Sequence, residues 1–144
     1  MSGSLQFEIV SPEEKLVSEP VHLAVMPGEA GEFGVGADHV PVVASLKYGV
    51  VKLYMQSLDE KKPRHIFITG GFADVAGKEC IVLAEDAIDV DDLGTVEDLT
   101  KAMDKLSADL ELAATQGDRL RMKTQIEITA AKIDAVKNKP NTLY

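Results

Sequence analysis

The sequence predicts a mainly β N-terminal domain, an antiparallel β-sandwich of about eight to ten strands, followed by an antiparallel two-helix hairpin. Apolar residues recur in steps of two from residue 5 to residue 84, the spacing of strands with one buried side. From about residue 87 they recur in steps of three and four, the spacing of an amphipathic helix. Glycine- and proline-rich punctuation cuts the β half at intervals too short for crossover helices, which favours antiparallel pairing. The expected boundaries are 1–86 for the sandwich, 87–94 for a hinge and 95–139 for the hairpin. Within the hairpin, helices at 95–115 and 119–138 are joined by a turn at 116–118.

Leu5, Phe7 and Ile9 alternate with Gln6, Glu8 and Val10, and Val21, Leu23 and Val25 alternate with His22, Ala24 and Met26. Three later runs, 49–55, 64–69 and 79–84, are more continuously apolar and rich in β-branched residues. Turn chemistry falls at Pro27-Gly28, Gly31, Asp59 to Pro63, Gly70-Gly71 and Gly77-Lys78. The segment from Pro27 to Pro41 holds glycines at 28, 31, 34 and 36, with Phe33 and Val35 among them and Glu32 expected at the tip. A loop this dense in glycine allows close backbone approach and suits a partner contact.

Val96, Leu99, Met103, Leu106, Leu110 and Ala113 draw one stripe along the first helix, with Thr95 as its N-cap. Gly117 is expected to take a left-handed C-terminal position and Asp118 to cap the second helix. There Met122, Ile126, Thr129, Ile133 and Val136 repeat the stripe, and Pro140 ends it. Each helix is about 20 residues, roughly 30 Å. The seam is light, so the hairpin is expected to dock weakly and to move at a hinge from Ile88 to Gly94.

At 144 residues and 45% hydrophobic, the chain can bury a core in one domain with an appendage. Its net charge of −9 argues against nucleic acid or an anionic membrane surface as partner. The charge is unevenly spread. Residues 85–118 carry 2 basic and 11 acidic residues, whereas residues 119–144 carry 6 basic and 2 acidic. An acidic arm facing a basic one is expected to help the hairpin close. The single cysteine, Cys80, excludes an internal disulfide and fits a reducing compartment. The opening residues lack the pattern of a secretory signal, and no run approaches the roughly 20 apolar residues of a membrane span. The expectation is a soluble, cytoplasmic protein that meets a membrane only through a partner.

Catalytic, cofactor and metal residues are expected to be none. No Gly-x-x-x-x-Gly-Lys-[Ser/Thr] or Gly-x-Ser-x-Gly occurs, and His22, His39 and His65 lack metal-ligand spacing. Gly34-Val35-Gly36 begins like a dinucleotide loop but meets His39 at the third glycine position. Cys80 lies in an apolar run and reads as an inert core thiol. A calcium loop starting at Asp89 fails at Leu93 and Thr100, so the acids from Glu85 to Asp92 read as a solvated linker before a helix N-terminus.

Two blocks carry a resemblance. Pro27 to Pro41 fits Pro-Gly-x-x-Gly-Glu-[Leu/Phe]-Gly-[Ile/Val]-x-x-x-His-x-Pro. Gly70-Gly71-Phe72-Ala73-Asp74-Val75, followed by Val82-Leu83-Ala84-Glu85-Asp86-Ala87, fits a second block, and the opening from Phe7 to Glu13 is of the same type. The sequence thus resembles the epsilon subunit of the bacterial F-type ATP synthase, the delta subunit in mitochondria. The resemblance implies a non-catalytic central-stalk subunit, one copy per complex, binding the gamma subunit and the c ring and rotating with both. It implies c-ring contacts at Gly31, Glu32 and Phe33 and gamma contacts at Ser11, His39, Val40, Pro41 and Val42. It also implies an inhibitory contact to a catalytic beta subunit through Arg119, Arg121, Lys123 and Lys132 on the hairpin. The implied location is peripheral, on the cytoplasmic face of the bacterial inner membrane, with no direct membrane insertion and no nucleic-acid partner. Some members bind ATP through Ile/Leu-Asp-x-x-Arg-Ala; Ile88-Asp89 matches its start, but Asp92 and Leu93 replace Arg and Ala. An acid in place of a phosphate-pairing cation reverses that interaction. The alternative is a free-standing sandwich interaction module with a helical regulatory hairpin.

Overall fold

The structure, a computed structural model, describes residues 4–55 and 63–138. The turn expected at Asp59 to Pro63 and the stop at Pro140 therefore lie wholly or largely outside the described residues. Eight strands form among the described residues: β1 (Leu5–Val10), β2 (Lys15–Val21), β3 (Leu23–Gly28), β4 (Gly31–Gly36), β5 (His39–Tyr54), β6 (Arg64–Gly77), β7 (Glu79–Leu83) and β8 (Ala87–Asp89). A 3-10 turn (Val90–Asp92) and two helices, α1 (Val96–Leu112) and α2 (Gln116–Lys137), complete the described residues. The strands run β2-β1-β7-β6-β5-β3-β4, with β8 also on β6. All pairs are antiparallel except β1 with β7.

The β5–β6 ribbon makes the sandwich. The first half of β6 borders β8 at 66–68, while the second half borders β7 at 72–76. Between them Gly70 and Gly71 take φ of 83° and 130°, conformations that only glycine adopts freely. A Cβ on Gly71 would overlap the Leu83 carbonyl. The double glycine is thus a bend inside one strand and not the turn expected from sequence. Across it the inward side chains change phase: Ile66 and Ile68 face the core before the bend, Ala73 and Val75 after it. The core joins both layers through Leu5, Phe7, Ile9, Met26, Val51, Leu53 and Val82, all fully buried. Cys80 Sγ lies 3.9 Å from Met26 Sδ across the two layers. In β3 it is Ala24 and Met26 that face this core, leaving Leu23 and Val25 half-buried on the other side.

Thr95 caps α1, its Oγ1 accepting from the Asp98 amide at 3.1 Å. The hairpin turn is Ala113-Ala114-Thr115, three residues earlier than expected. Thr115 supplies the cap to the Asp118 amide, and Gly117 lies inside α2. Thr115 keeps an extended backbone (φ −120°, ψ 157°) and starts the helix about one turn sooner, which leaves Asp118 in the first turn, where the helix dipole favours an acid. Among the described residues the hairpin's ion pairs, Lys101 with Glu97 and Arg121 with Asp118, each lie within one helix. The expected pairing between an acidic and a basic arm is therefore not made by direct bridges there.

The helix α2 is buried on two sides. Thr129 and Ile133 are buried on one side, while Ala135, with Ile128, Ala131 and Val136, packs against Phe67, Val90, Tyr48, Val50 and Leu93. Phe67 is fully buried. The segment expected as a solvated hinge, 87–94, is mostly ordered structure: β8 pairs with β6 in three register positions, and Val90 is 2% exposed.

Candidate functional site: an apolar sheet face and a hairpin tip

Strand alternation decides which residues face outward on the β1-β7-β6-β5 layer. Val42 pairs with Val75 and packs against the core, whereas Val43 pairs with Asp74 and points out. Phe72 pairs with Leu83, which pairs with Val10, placing these three side by side on the same outer face. Val43 is 70% exposed, Phe72 54% and Leu83 50%. A register shift between His39 and Val42 leaves Val40 and Pro41 exposed together. The result is a group of exposed apolar side chains with Asp74 among them, the kind of surface that a folded sandwich keeps for a partner.

The gamma-contact residues suggested by the resemblance frame this patch. Ser11 lies just beyond the Val10 and Leu83 end, closing the β1–β2 turn: its hydroxyl accepts from the Glu14 amide at 3.1 Å. His39 lies at the other end, paired with Gly77, with its Nδ1 2.7 Å from the Val40 carbonyl. Val42 is the exception, its side chain being committed to the core. Val43, Phe72 and Leu83 were missed from sequence. Their alternation with Val42, Ala73 and Val82 was legible, but the bend at the double glycine hid which phase faces outward.

The second surface is the β3–β4 hairpin. Gly28 pairs with Gly31 around a two-residue turn, Glu29-Ala30, so these residues and not Glu32 form the tip. Gly31 needs its φ of 135°, and a Cβ on Gly28 would lie 2.6 Å from the Gly31 carbonyl oxygen. Glu32 sits one step down on β4, with a carboxylate oxygen 3.5 Å from Lys52 Nζ and its side chain 55% exposed. Phe33 is half-buried against the core. Of the expected c-ring residues only Gly31 and Glu32 remain open, and Glu29 joins them.

On α2 the basic residues Arg119, Arg121 and Lys123 are exposed and Lys132 is half-buried. At about 100° per residue, Arg119 and Lys123 fall on one edge of the helix and Arg121 and Lys132 on the opposite edge. They do not make a single stripe, because the two remaining sides are taken by α1 and the sandwich.

Chemistry finds little purchase. Burial raises the Cys80 thiol from 9.0 to about 12, with a smaller contribution from the Asp74 charge. Among the described residues no group of three His, Cys, Asp or Glu side chains could hold a metal ion. His65 Nδ1 lies 2.8 Å from the Pro63 carbonyl. Asp89, which begins the partial nucleotide motif, accepts from the Asp91 amide at 3.0 Å and lies 3.6 Å from Arg64 Nε. Leu93, at the motif's Ala position, packs in the seat under α2. A cleft of about 490 Å³ between β5 and α2 has mixed charge, with Lys47 and Lys52 against Glu32 and Asp134.

Fold and surfaces together suit an interaction subunit, a sandwich with two outward surfaces and an appended hairpin. Residues 4–90 match the family of the ATP synthase delta/epsilon chain β-sandwich domain. The ATP synthase epsilon chain of Rhodospirillum centenum is 38% identical over 138 residues, covering 94% of each chain. That of Rhizobium rhizogenes is 39% identical over 122 residues, covering 85% of this chain and 87% of the relative. A chain in the Euglena gracilis mitochondrial ATP synthase assembly of OSCP, F1 and c-ring superimposes with a TM-score of 0.78 at 22% identity. The match covers 94% of this chain and 83% of that one, a likeness of fold. The protein belongs to the ATP synthase delta/epsilon chain family.

Proposed function

We propose that this chain is the non-catalytic epsilon-type rotor subunit of a proton-translocating F-type ATP synthase, joining the gamma subunit to the c ring. The epsilon-chain relatives support the complex. The exposed patch of Val43, Phe72 and Leu83 outside a filled core is the observation that carries the contact reading. Its proposed occupant is gamma, with Ser11, His39, Val40 and Pro41 on the rim. The β3–β4 tip, with Glu29, Gly31 and Glu32, is the proposed c-ring contact. A sandwich whose layers share one core resists shear, so torque applied at the tip reaches the apolar face without a moving part.

No described helix is long and apolar enough to cross a membrane. The chain is proposed to act peripherally, one copy per complex, at the cytoplasmic face of a bacterial inner membrane. The hairpin's proposed role is to restrain ATP hydrolysis through Arg119, Arg121, Lys123 and Lys132 against a catalytic beta subunit. Such a contact draws on two helix edges, so the hairpin must leave the sandwich or present one edge at a time.

Affinity purification from solubilised membranes tests the reading. Tagged chain should bring down gamma and c subunits, and Phe72→Glu should lose gamma while staying folded. Recovery of neither partner by the unaltered chain would favour a free-standing interaction module.

A further inference from the structure

Asp74 stands amid the exposed apolar side chains of the β1-β7-β6-β5 layer. Strand pairing sets Val43 on β5 directly opposite it on one side and Ile81 on β7 on the other, a spacing of about 5 Å between Cβ atoms at which facing side chains touch. Phe72 and Ala76 lie two residues away along β6, on the same side of the sheet. The row continues from Ile81 to Glu8 on β1 and then to Ser18 on β2. Its two acids differ. The Glu8 carboxylate is answered within the chain, 3.1 Å from Lys15 Nζ and 3.2 Å from Ser18 Oγ. Asp74 is exposed, and among the described residues no ion pair reaches its carboxylate.

We propose that Asp74 is the specificity-determining charge of this face, and that the surface it receives presents one arginine inside an apolar frame. The inference rests on the proposed gamma contact and deepens it by stating the chemistry the gamma surface must carry. Any close-fitting partner that covers Val43, Phe72, Ile81 and Leu83 also strips water from Asp74. A carboxylate that loses its water and gains no cation costs more than the apolar contacts beside it return, so a purely apolar surface is rejected. An acidic one is repelled. A guanidinium suits the place: it is planar, more weakly hydrated than an ammonium, and can lie on an aromatic ring such as Phe72 while its N–H groups donate to the carboxylate. The apolar residues then supply contact area, and Asp74 decides which surface is admitted and in what register.

Titration of the full chain against purified gamma tests this, with the unfolding transition of each variant followed by circular dichroism. The unaltered chain should bind and Phe72→Glu should not, which fixes the face. Asp74→Asn, close in shape but uncharged, should weaken binding by about 10-fold. Asp74→Leu enlarges the apolar area, yet it should weaken binding by about 50-fold, because it leaves the arginine buried without a partner. Asp74→Lys should abolish binding, and one member of a panel of gamma variants, each with a single surface arginine reversed to glutamate, should restore it. If Asp74→Leu binds as tightly as the unaltered chain or more tightly, or if no member of the panel restores binding to Asp74→Lys, the proposal is overturned while the contact face stands. Normal binding by Phe72→Glu, or none by the unaltered chain, would instead remove gamma from this face and the proposal with it.

Discussion

Adjacent valines on β5 face opposite sides of the sheet, so the same substitution at each should have opposite consequences. Val42 packs against the core opposite Val75, whereas Val43, 70% exposed, looks out opposite Asp74. Val42→Asn removes a packed apolar side chain and leaves an amide without partners near the core. An unpaired polar group costs about 1–3 kcal/mol by mutational measures, and the lost methyls add about 1 kcal/mol. Because Val42 is half-buried, about 2–3 kcal/mol is expected, a fall of about 10–20 °C in Tm for a domain of this size. Val43→Asn should stay within about 0.5 kcal/mol of the unaltered fold. It should instead weaken gamma binding by about 5- to 30-fold, corresponding to about 1–2 kcal/mol of lost apolar contact. Thermal unfolding by circular dichroism and titration calorimetry against purified gamma read the two effects. If Val43→Asn lowers Tm as much as Val42→Asn does, the inside–outside assignment is wrong. If Val43→Asn binds gamma normally, the patch is not the contact.

Three further outcomes are expected. The pair Glu29→Lys with Glu32→Lys should reduce ATP-driven proton pumping in reconstituted vesicles without changing the unfolding transition of the isolated chain, because both side chains are exposed; unchanged pumping removes the β3–β4 tip from the c-ring contact. Truncation after Leu93 should raise ATPase activity of the complex if the hairpin brakes it, and it preserves Val90 and β8, which a cut at residue 88 would remove; unchanged activity would make the hairpin an appendage without a brake. Cys80 stays protonated in the fold up to about 12 while the unfolded thiol ionises near 9.0. Above pH 9 the unfolded state therefore binds fewer protons, and stability should fall by about 1.4 kcal/mol per pH unit until the folded thiol titrates. Urea unfolding between pH 8.5 and about 10.5 should show this slope, and Cys80→Ala should remove that contribution; an identical slope in the variant would refute it.

Much of this architecture was legible in the chain. The change from a period of two to one of three and four marked the sandwich and the hairpin, since those periods are properties of strand and helix backbones themselves. Thr95 announced α1, and the stripe from Met122 to Ile133 announced one buried side of α2, whereas Val136, expected to continue it, packs in the cluster with Phe67 and Val90. What stayed hidden had a common cause. The second buried side of α2 consists of Ile128, Ala131, Ala135 and Val136, and the two alanines look the same in a helix whether they meet water or a sheet. The acids from Glu85 to Asp92 suggested a solvated linker, because the sequence shows neither Phe67 waiting beneath Val90 nor Arg64 beside Asp89.

The sequence alone determined where strand periodicity gives way to helix periodicity, the inert setting of Cys80 and the family to which the chain belongs. Only the tertiary structure decided direction: that Val43 and Phe72 look outward, that Glu29 and not Glu32 stands at the hairpin tip, and that the linker belongs to the sandwich. Periodicity depends on each residue's neighbours along the chain. The side that becomes inside depends on which distant strand arrives across it, and here two glycines at positive φ reset that choice midway along β6.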